Sequence, residues 1–467
     1  MTGSDSTHSR RSYLKRAAVA STVGMAGLAG CTGGGGSGDG GDNGSDGGGG
    51  NASGDGGNAS GDGGNASGDT DSDDGGSDQA LEVLHAWTGG DGKKAINALT
   101  DTFEEQHPDM ETDFRPIGGG GNTNLNTVMS KRLGNNNPPS SFAGWPGANA
   151  IQYEGILGDA SGVWEEFKDS HIQEAVEASK FNDKFVAVPI GSHRLNELFY
   201  NVSVVEEAGV NPDELSDVEG LMSALQTVGE NTDAVPMAHG MKLPWTTLQL
   251  FGVNFLSTQG HEAYMSFTQG EGDKEKVVSA LETTKEILEN YISDDASSIG
   301  LTGANQMIMQ GDAAFIHQGN WAAGAYKGND LKYNEDWGAV TYPGTDGMYT
   351  LHMDSFLYPG NNPSPQKTKK WLSYVGTKEA QVTFNTRKGS IPTRTDVATD
   401  QFGEYLTDTI DDFQNAEQKP PTIAHGLAVP PTTLTELKGV INNNFSGPYD
   451  VDATAEGLLQ TIEDGQA

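Results

Sequence analysis

The chain has 467 residues, with 28 Lys and Arg against 65 Asp and Glu, a net charge of -37 and a single cysteine. That balance repels polyanions, so nucleic acid is not an expected partner, and one cysteine excludes a disulfide framework. Residues 80–467 are too many for one simple core and suit two lobes of roughly 150 to 200 residues each.

Arg10 and Arg11 open the run RRSYLKRAAVA, and a weakly apolar segment from Ala17 to Ala29 follows. A bilayer span takes about 20 strongly apolar residues, so residues 1–30 read as a signal peptide instead. The paired arginines resemble the twin-arginine export motif. Leu28-Ala29-Gly30-Cys31 resembles a lipobox, which implies a lipid on Cys31 and membrane attachment by that anchor alone. The expected location is the outer face of the cytoplasmic membrane. Residues 31–79 hold 21 glycines and 10 aspartates, with no lysine, arginine or large apolar residue. They read as a disordered tether, which as a Gly-rich coil would average roughly 40 Å end to end. Its sequons make Asn43, Asn51, Asn58 and Asn65 candidate N-glycosylation sites, with chance recurrence in a low-complexity tract as the alternative.

The folded part, residues 80–467, keeps 24 Lys and Arg against 54 Asp and Glu. Acids scattered along a whole domain do not form one functional patch; they read as solubility in very high salt, and so as a halophilic source. In chain order, Leu81–His85 is predicted as a strand. A helix is predicted over 93–106, with Ala95, Ile96, Leu99 and Phe103 on one face, ending before Pro108. A strand over 112–117, a helix over 122–133 and a strand over 141–145 complete a βαβαβ unit, the signature of an α/β lobe with a parallel sheet. Further on, helices are expected over 277–291 and 371–385, and strands over 313–318 and 338–341.

In such sheets ligands meet the carboxyl ends of the strands. The glycine run from Gly118 to Gly121 precedes a helix, but no GK[ST] follows, so a tight turn is favoured over a phosphate loop. Neither G-x-S-x-G nor H-E-x-x-H occurs. His85, His193, His239, His317, His352 and His425 are spread singly, without metal-ligand spacing. No catalytic group, cofactor or metal is therefore expected, and a carboxylate pair for glycoside hydrolysis cannot be singled out among 54 acids. Trp87, Trp145, Trp245 and Trp321 lie beside Gly, Pro, Thr or Asn at predicted element ends. An indole face stacks on the C–H face of a pyranose, while His, Asn, Asp, Lys and Arg satisfy its hydroxyls. Core packing is the alternative for each tryptophan alone; the four together favour a sugar cleft.

An ordered set of motifs runs through the folded part: WTGG at 87–90, RLGNNNPPSSF at 132–142, VPIGSHRLNELFYN at 188–201 and GVNP at 209–212. It continues with QGDAAFIHQGNWAAG at 310–324, PGTDGMYTLHMDSF ending at Phe356, KGSIPTRTDV at 388–397 and AHG at 424–426. The set resembles the solute-binding proteins of sugar ABC transporters, of the family 1 type, and among them the glucose/mannose-binding branch. The resemblance implies a two-lobed periplasmic-binding-protein-like clamshell of type II, each lobe a mainly parallel sheet flanked by helices. Lobe 1 is expected at about 80–190 plus 310–356, and lobe 2 at about 191–309 plus 357–467. Crossings are expected near 189–193, 310–318 and 356–359.

The resemblance further implies a non-enzymatic monomer that binds a sugar such as glucose, or a related sugar or disaccharide, between the lobes. Closure would then present it to the ABC transporter permease. Position by position, Trp87 matches a first-loop stacking aromatic and His193 the histidine of the first crossing. Trp245 or one of its neighbours matches a second-lobe stacking aromatic, Asp354 a hydroxyl acceptor, and Lys388 and His425 hydroxyl donors. Asn320 and Trp321 lie in a motif whose role could equally be helix capping and packing. Ala86, and Ala143 with Trp145, stand where glucose binders carry a tryptophan, a glutamine and a histidine, which puts glucose itself in doubt. The alternatives are a secreted glycan-acting enzyme and a binder of a non-sugar solute such as a peptide or metal.

Overall fold

Local sequence sets the first elements as expected. The computed structural model describes residues 79–118 and 122–466. The signal segment, Cys31 and the tether sequons at Asn43, Asn51, Asn58 and Asn65 lie outside them. β1 (Leu81–His85), β2 (Thr112–Pro116) and β3 (Ser141–Gly144) alternate with helices Gly90–Gln106 and Thr123–Gly134. Ala95, Ile96, Leu99 and Phe103 recur at helical spacing and are fully buried on β1 and its neighbours.

The remaining strands are β4 (Lys180–Phe181), β5 (Lys184–Phe185), β6 (Ala187–Arg194), β7 (Glu197–Asn201), β8 (Val235–Met237), β9 (Ala313–His317), β10 (Trp337–Thr341) and β11 (Leu351–Leu357). They form a five-stranded sheet in the order β2-β1-β3-β11-β6, a four-stranded sheet in the order β10-β7-β9-β8, and the small β4–β5 hairpin. In the first sheet only β11 runs against the others, and in the second only β7 does. Each sheet is thus mainly parallel and flanked by helices, as the α/β expectation required.

The division into lobes differs from the expected one. β9 and β10, expected in lobe 1, pair with β7 and β8 in the second sheet. Helices Pro365–Val375 and Lys378–Lys388, expected in lobe 2, bury Trp371, Leu372 and Phe384 against the first sheet. Only the later part of the expected segment packs with the second lobe, through Leu434, Leu437, Leu458 and Ile462. Strand pairing over more than a hundred residues decides membership, and no local pattern encodes it. The helix expected over 371–385 is likewise two helices, because Gly376 packs where a methyl group would overlap Phe167 and Thr377 then caps the second helix through Ala380 N.

The crossings shift accordingly. The first is the two-residue step Leu195-Asn196 between β6 and β7, and the second is 342–350, between β10 and β11. The expected crossings at 310–318 and 356–359 fall inside single sheets. A third connection, over 389–430, leads from helix Lys378–Lys388 on the first sheet to helix Pro431–Val440 in the second lobe. Asn196 is fully buried and ties the first two crossings together. Its Nδ2 donates to Thr345 Oγ1 (3.0 Å) and Met348 O (2.9 Å), and its Oδ1 accepts from Thr350 N (2.8 Å). Behind it Arg194 donates to Asp412 Oδ2 (2.5 Å), and Tyr405 donates to Glu197 Oε2 (2.9 Å).

Candidate functional site

The carboxyl ends of β3 and β6 and the start of the reversed strand β11 converge on one edge of the first sheet. Trp145 follows β3, His193 ends the inward face of β6, and β11 supplies His352 and Asp354. The β6–β11 register sets His352 opposite His193 and Asp354 opposite Gly191. Paired residues share a face, so the two imidazoles stack with centroids 6.0 Å apart at 20°.

The second lobe contributes from helix ends. Trp245 is the second residue of helix Pro244–Thr268, whose Pro244 suits a first helical position, and Gln249 lies one turn on. β9 runs into Gln318-Gly319-Asn320 and then helix Trp321–Gly328. Gly319 lets the Trp321 ring fold back, since a methyl group there would overlap it. Its indole Nε1 donates to Gln318 Oε1 at 3.1 Å. Gly389, at φ 80°, packs its backbone on Asn320 O and so sets Lys388 beside Trp321, with Nζ 5.8 Å from the ring centroid. Pro421 bridges Leu351, which brings His425 in.

These side chains form one cluster. The His425 ring lies 5.4 Å from Trp145, 5.3 Å from Trp245, 5.2 Å from Trp321 and 5.0 Å from His352. Trp321 meets His193 at 5.3 Å, and Trp145 meets His352 edge-on at 5.2 Å. His193 Nε2 lies 3.1 Å from Asp354 Oδ2 and its Nδ1 2.6 Å from Asn320 Oδ1. Asn320 makes no capping bond to its helix, so the side chain serves the cluster and not the helix end. His425 Nε2 bonds Gln249 Oε1 at 2.9 Å.

Charge in the cluster is set by burial and by neighbours. Burial alone would raise Asp354, but hydrogen bonding from His193, the facing His352 and the charge of Lys388 outweigh it and hold the carboxyl well below its usual range. His352 Nε2 stands 3.8 Å from Oδ1, beyond hydrogen-bond length, so it favours the carboxylate through the dipole of an N–H turned toward it. Burial lowers His352, and it lowers His425 further with the help of nearby positive groups. The result is a fixed carboxylate near two imidazoles, His352 and His425, that prefer to be neutral, walled by indoles. Among the described residues no group of three or more His, Cys, Asp or Glu is arranged to hold a metal ion.

Of the eight residues expected to contact a sugar, the structure brings Trp145, His193, Trp245, Trp321, Asp354, Lys388 and His425 together. Trp87 stands apart. Its ring contacts His85 (6.0 Å), Phe356 (5.8 Å) and Phe384 (5.2 Å), all in the first-lobe core. His352, Gln249 and Gln318 belong to the cluster and were not among the expected residues. For His352 a signal existed: in LHMDSFL, His352 and Asp354 are two apart in a strand and so share a face.

A sequence profile of the bacterial extracellular solute-binding proteins matches residues 98–421. The chain belongs to this family. Among curated relatives, this solute-binding protein is 47% identical over 391 residues to the xylose/arabinose-binding protein XacG of Haloferax volcanii, covering 83% of this chain and 85% of that one. It is 32% identical to an uncharacterized ABC transporter extracellular-binding protein of Pyrococcus horikoshii, covering 82% and 88%. Among solved structures, the bacterial solute receptor AcbH, described as preferring β-D-galactopyranose, superposes with a TM-score of 0.73 at 17% identity, over 83% of this chain and 99% of that one. At that identity the likeness concerns the fold, a two-lobed binding protein. The relatives are solute-binding proteins and not enzymes.

Proposed function

We propose that this protein captures a sugar between its two sheets and delivers it to an ABC importer, without changing it covalently. The observation that carries the reading is the buried cluster of Trp145, Trp245 and Trp321 with His193, His425, Asp354 and Lys388. It offers flat apolar faces together with fixed donors and acceptors from both lobes. The relative named for xylose and arabinose supports a pentose ahead of glucose. Trp87 is left with a packing role.

The test is a thermal-shift screen at molar salt with xylose, arabinose, glucose, galactose and common disaccharides. At a hundred times Kd, a specific sugar should stabilise the fold by about 2.7 kcal/mol. A panel in which no sugar moves the transition would refute the reading, and turnover of a reporter glycoside would favour an enzyme instead.

We further propose that the protein sits on the outer face of a halophile's cytoplasmic membrane, exported by the twin-arginine route and held by a lipid on Cys31. The lipobox-like run and the glycine-rich stretch behind it support this. In the native host, Cys31→Ser should move the protein from the membrane fraction to the medium. Retention of that variant on the membrane would defeat the anchor.

A further inference from the structure

His352 contains an unused polar atom in the middle of the cluster. The residue is 3% exposed, and its Nδ1 is buried with no hydrogen-bond partner. Its ring is held on three sides, edge-on to Trp145 at 5.2 Å, tilted to His425 at 5.0 Å and stacked on His193 at 6.0 Å. Its Cα is held opposite His193 by the β6–β11 pairing, so the ring is presented to the cluster face of the sheet. Nε2 faces the Asp354 carboxylate at 3.8 Å, which selects the tautomer carrying the proton on Nε2. Nδ1 is then a lone-pair acceptor. A buried acceptor left unpaired is costly, and its neighbours supply no donor.

The geometry points to His352 as a specificity-determining residue of the sugar site, its Nδ1 accepting a hydrogen bond from one particular hydroxyl of the ligand. The assignment rests on the sugar-binding reading above. Asp354 accepts from a different hydroxyl, so the two acceptors of β11, two residues apart on one face, read the spacing of two hydroxyls on one ring edge. A site built to receive a hydroxyl discriminates strongly against the analogue that lacks it, because its own polar group is then left unpaired.

The experiment crosses protein variants with monodeoxy analogues of the best sugar from the screen, using calorimetric Kd values at molar salt. In the wild type, at least two deoxy positions should each weaken binding on the order of ten- to a hundred-fold. With His352→Ala, one of those positions should stop mattering, to within about three-fold, while the position read by Asp354 keeps its full penalty. His352→Asn places an amide oxygen where Nδ1 stood and should restore the discrimination; His352→Gln, whose amide overlies Nε2, should not. A purely structural role predicts an equal loss for every analogue in all three variants. That uniform loss, or unchanged discrimination in His352→Ala, overturns the assignment. If His352→Ala fails to fold, the contrast between Asn and Gln decides alone. Should the wild type bind no sugar at all, the functional reading fails, and the assignment falls with it; sugar binding with a flat deoxy series in His352 variants and wild type alike removes only the assignment.

Discussion

Individual buried histidines make a measurable demand on pH. Burial lowers His85 and His317 to about 4 and His171 and His239 to about 3, from 6.5 in the open chain. Below 6.5 the unfolded chain takes up a proton at each of these rings that the folded chain refuses. The fold therefore loses about 1.4 kcal/mol per pH unit per ring as pH falls toward those lower values. Glu197 acts in the opposite sense. Burial, against the pull of Arg194 and Tyr405, raises its carboxyl to about 7 from 4.5. Its contribution is present in full below 4.5 and is lost as pH rises through 7. Four rings outweigh one carboxyl, so the apo melting temperature at constant molar salt should fall between pH 7 and pH 5. A flat or rising melting curve over that interval would contradict the burial of these rings. Sequence gave no hint of their states: a lone histidine in a strand looks the same whether its ring meets solvent or a closed core.

Among the elements, the paired crossings depend on a single side chain for three of their hydrogen bonds. Asn196 satisfies three backbone or side-chain groups of the 342–350 crossing, and alanine there would leave Thr350 N and Met348 O unpaired in the interior. Asn196→Ala should cost about 2–4 kcal/mol by denaturant unfolding. A loss under about 0.5 kcal/mol, the range of ordinary surface substitutions, would show that the crossings hold without it. Elements themselves were largely readable, because β1, β3 and helix Gly90–Gln106 announce themselves by period and by their stops. Their grouping was not. β9 and β10 are short apolar runs whose sheet is chosen by β7, over a hundred residues away, and nothing inside AAFIH or WGAVT names that partner.

At the scale of the whole molecule, the motif order resembled one family closely enough to fix a two-lobed architecture, and the seven clustered residues came from that resemblance together with the chemistry of tryptophan beside polar groups. Trp87 shows where the approach ends. It follows β1 at the right sheet edge, yet its half-buried ring lies against the first-lobe core, on Phe356 and Phe384, where Gly92 leaves it room. Sequence position located the strand end and could not say which way the ring would turn.

β11 starts at a crossing, and that has a mechanical consequence. Asp354 sits only three residues past Leu351, about 10 Å of extended chain from the pivot. On so short a lever arm, a rotation of about 20° would carry the carboxylate by only about 3 to 4 Å at that strand rise. His193, just before the other crossing, is equally close to the fulcrum. If the lobes rotate about these crossings, His193 and Asp354 move far less than the outer parts of the lobes, so the proposed sugar would meet these two partners at nearly fixed positions.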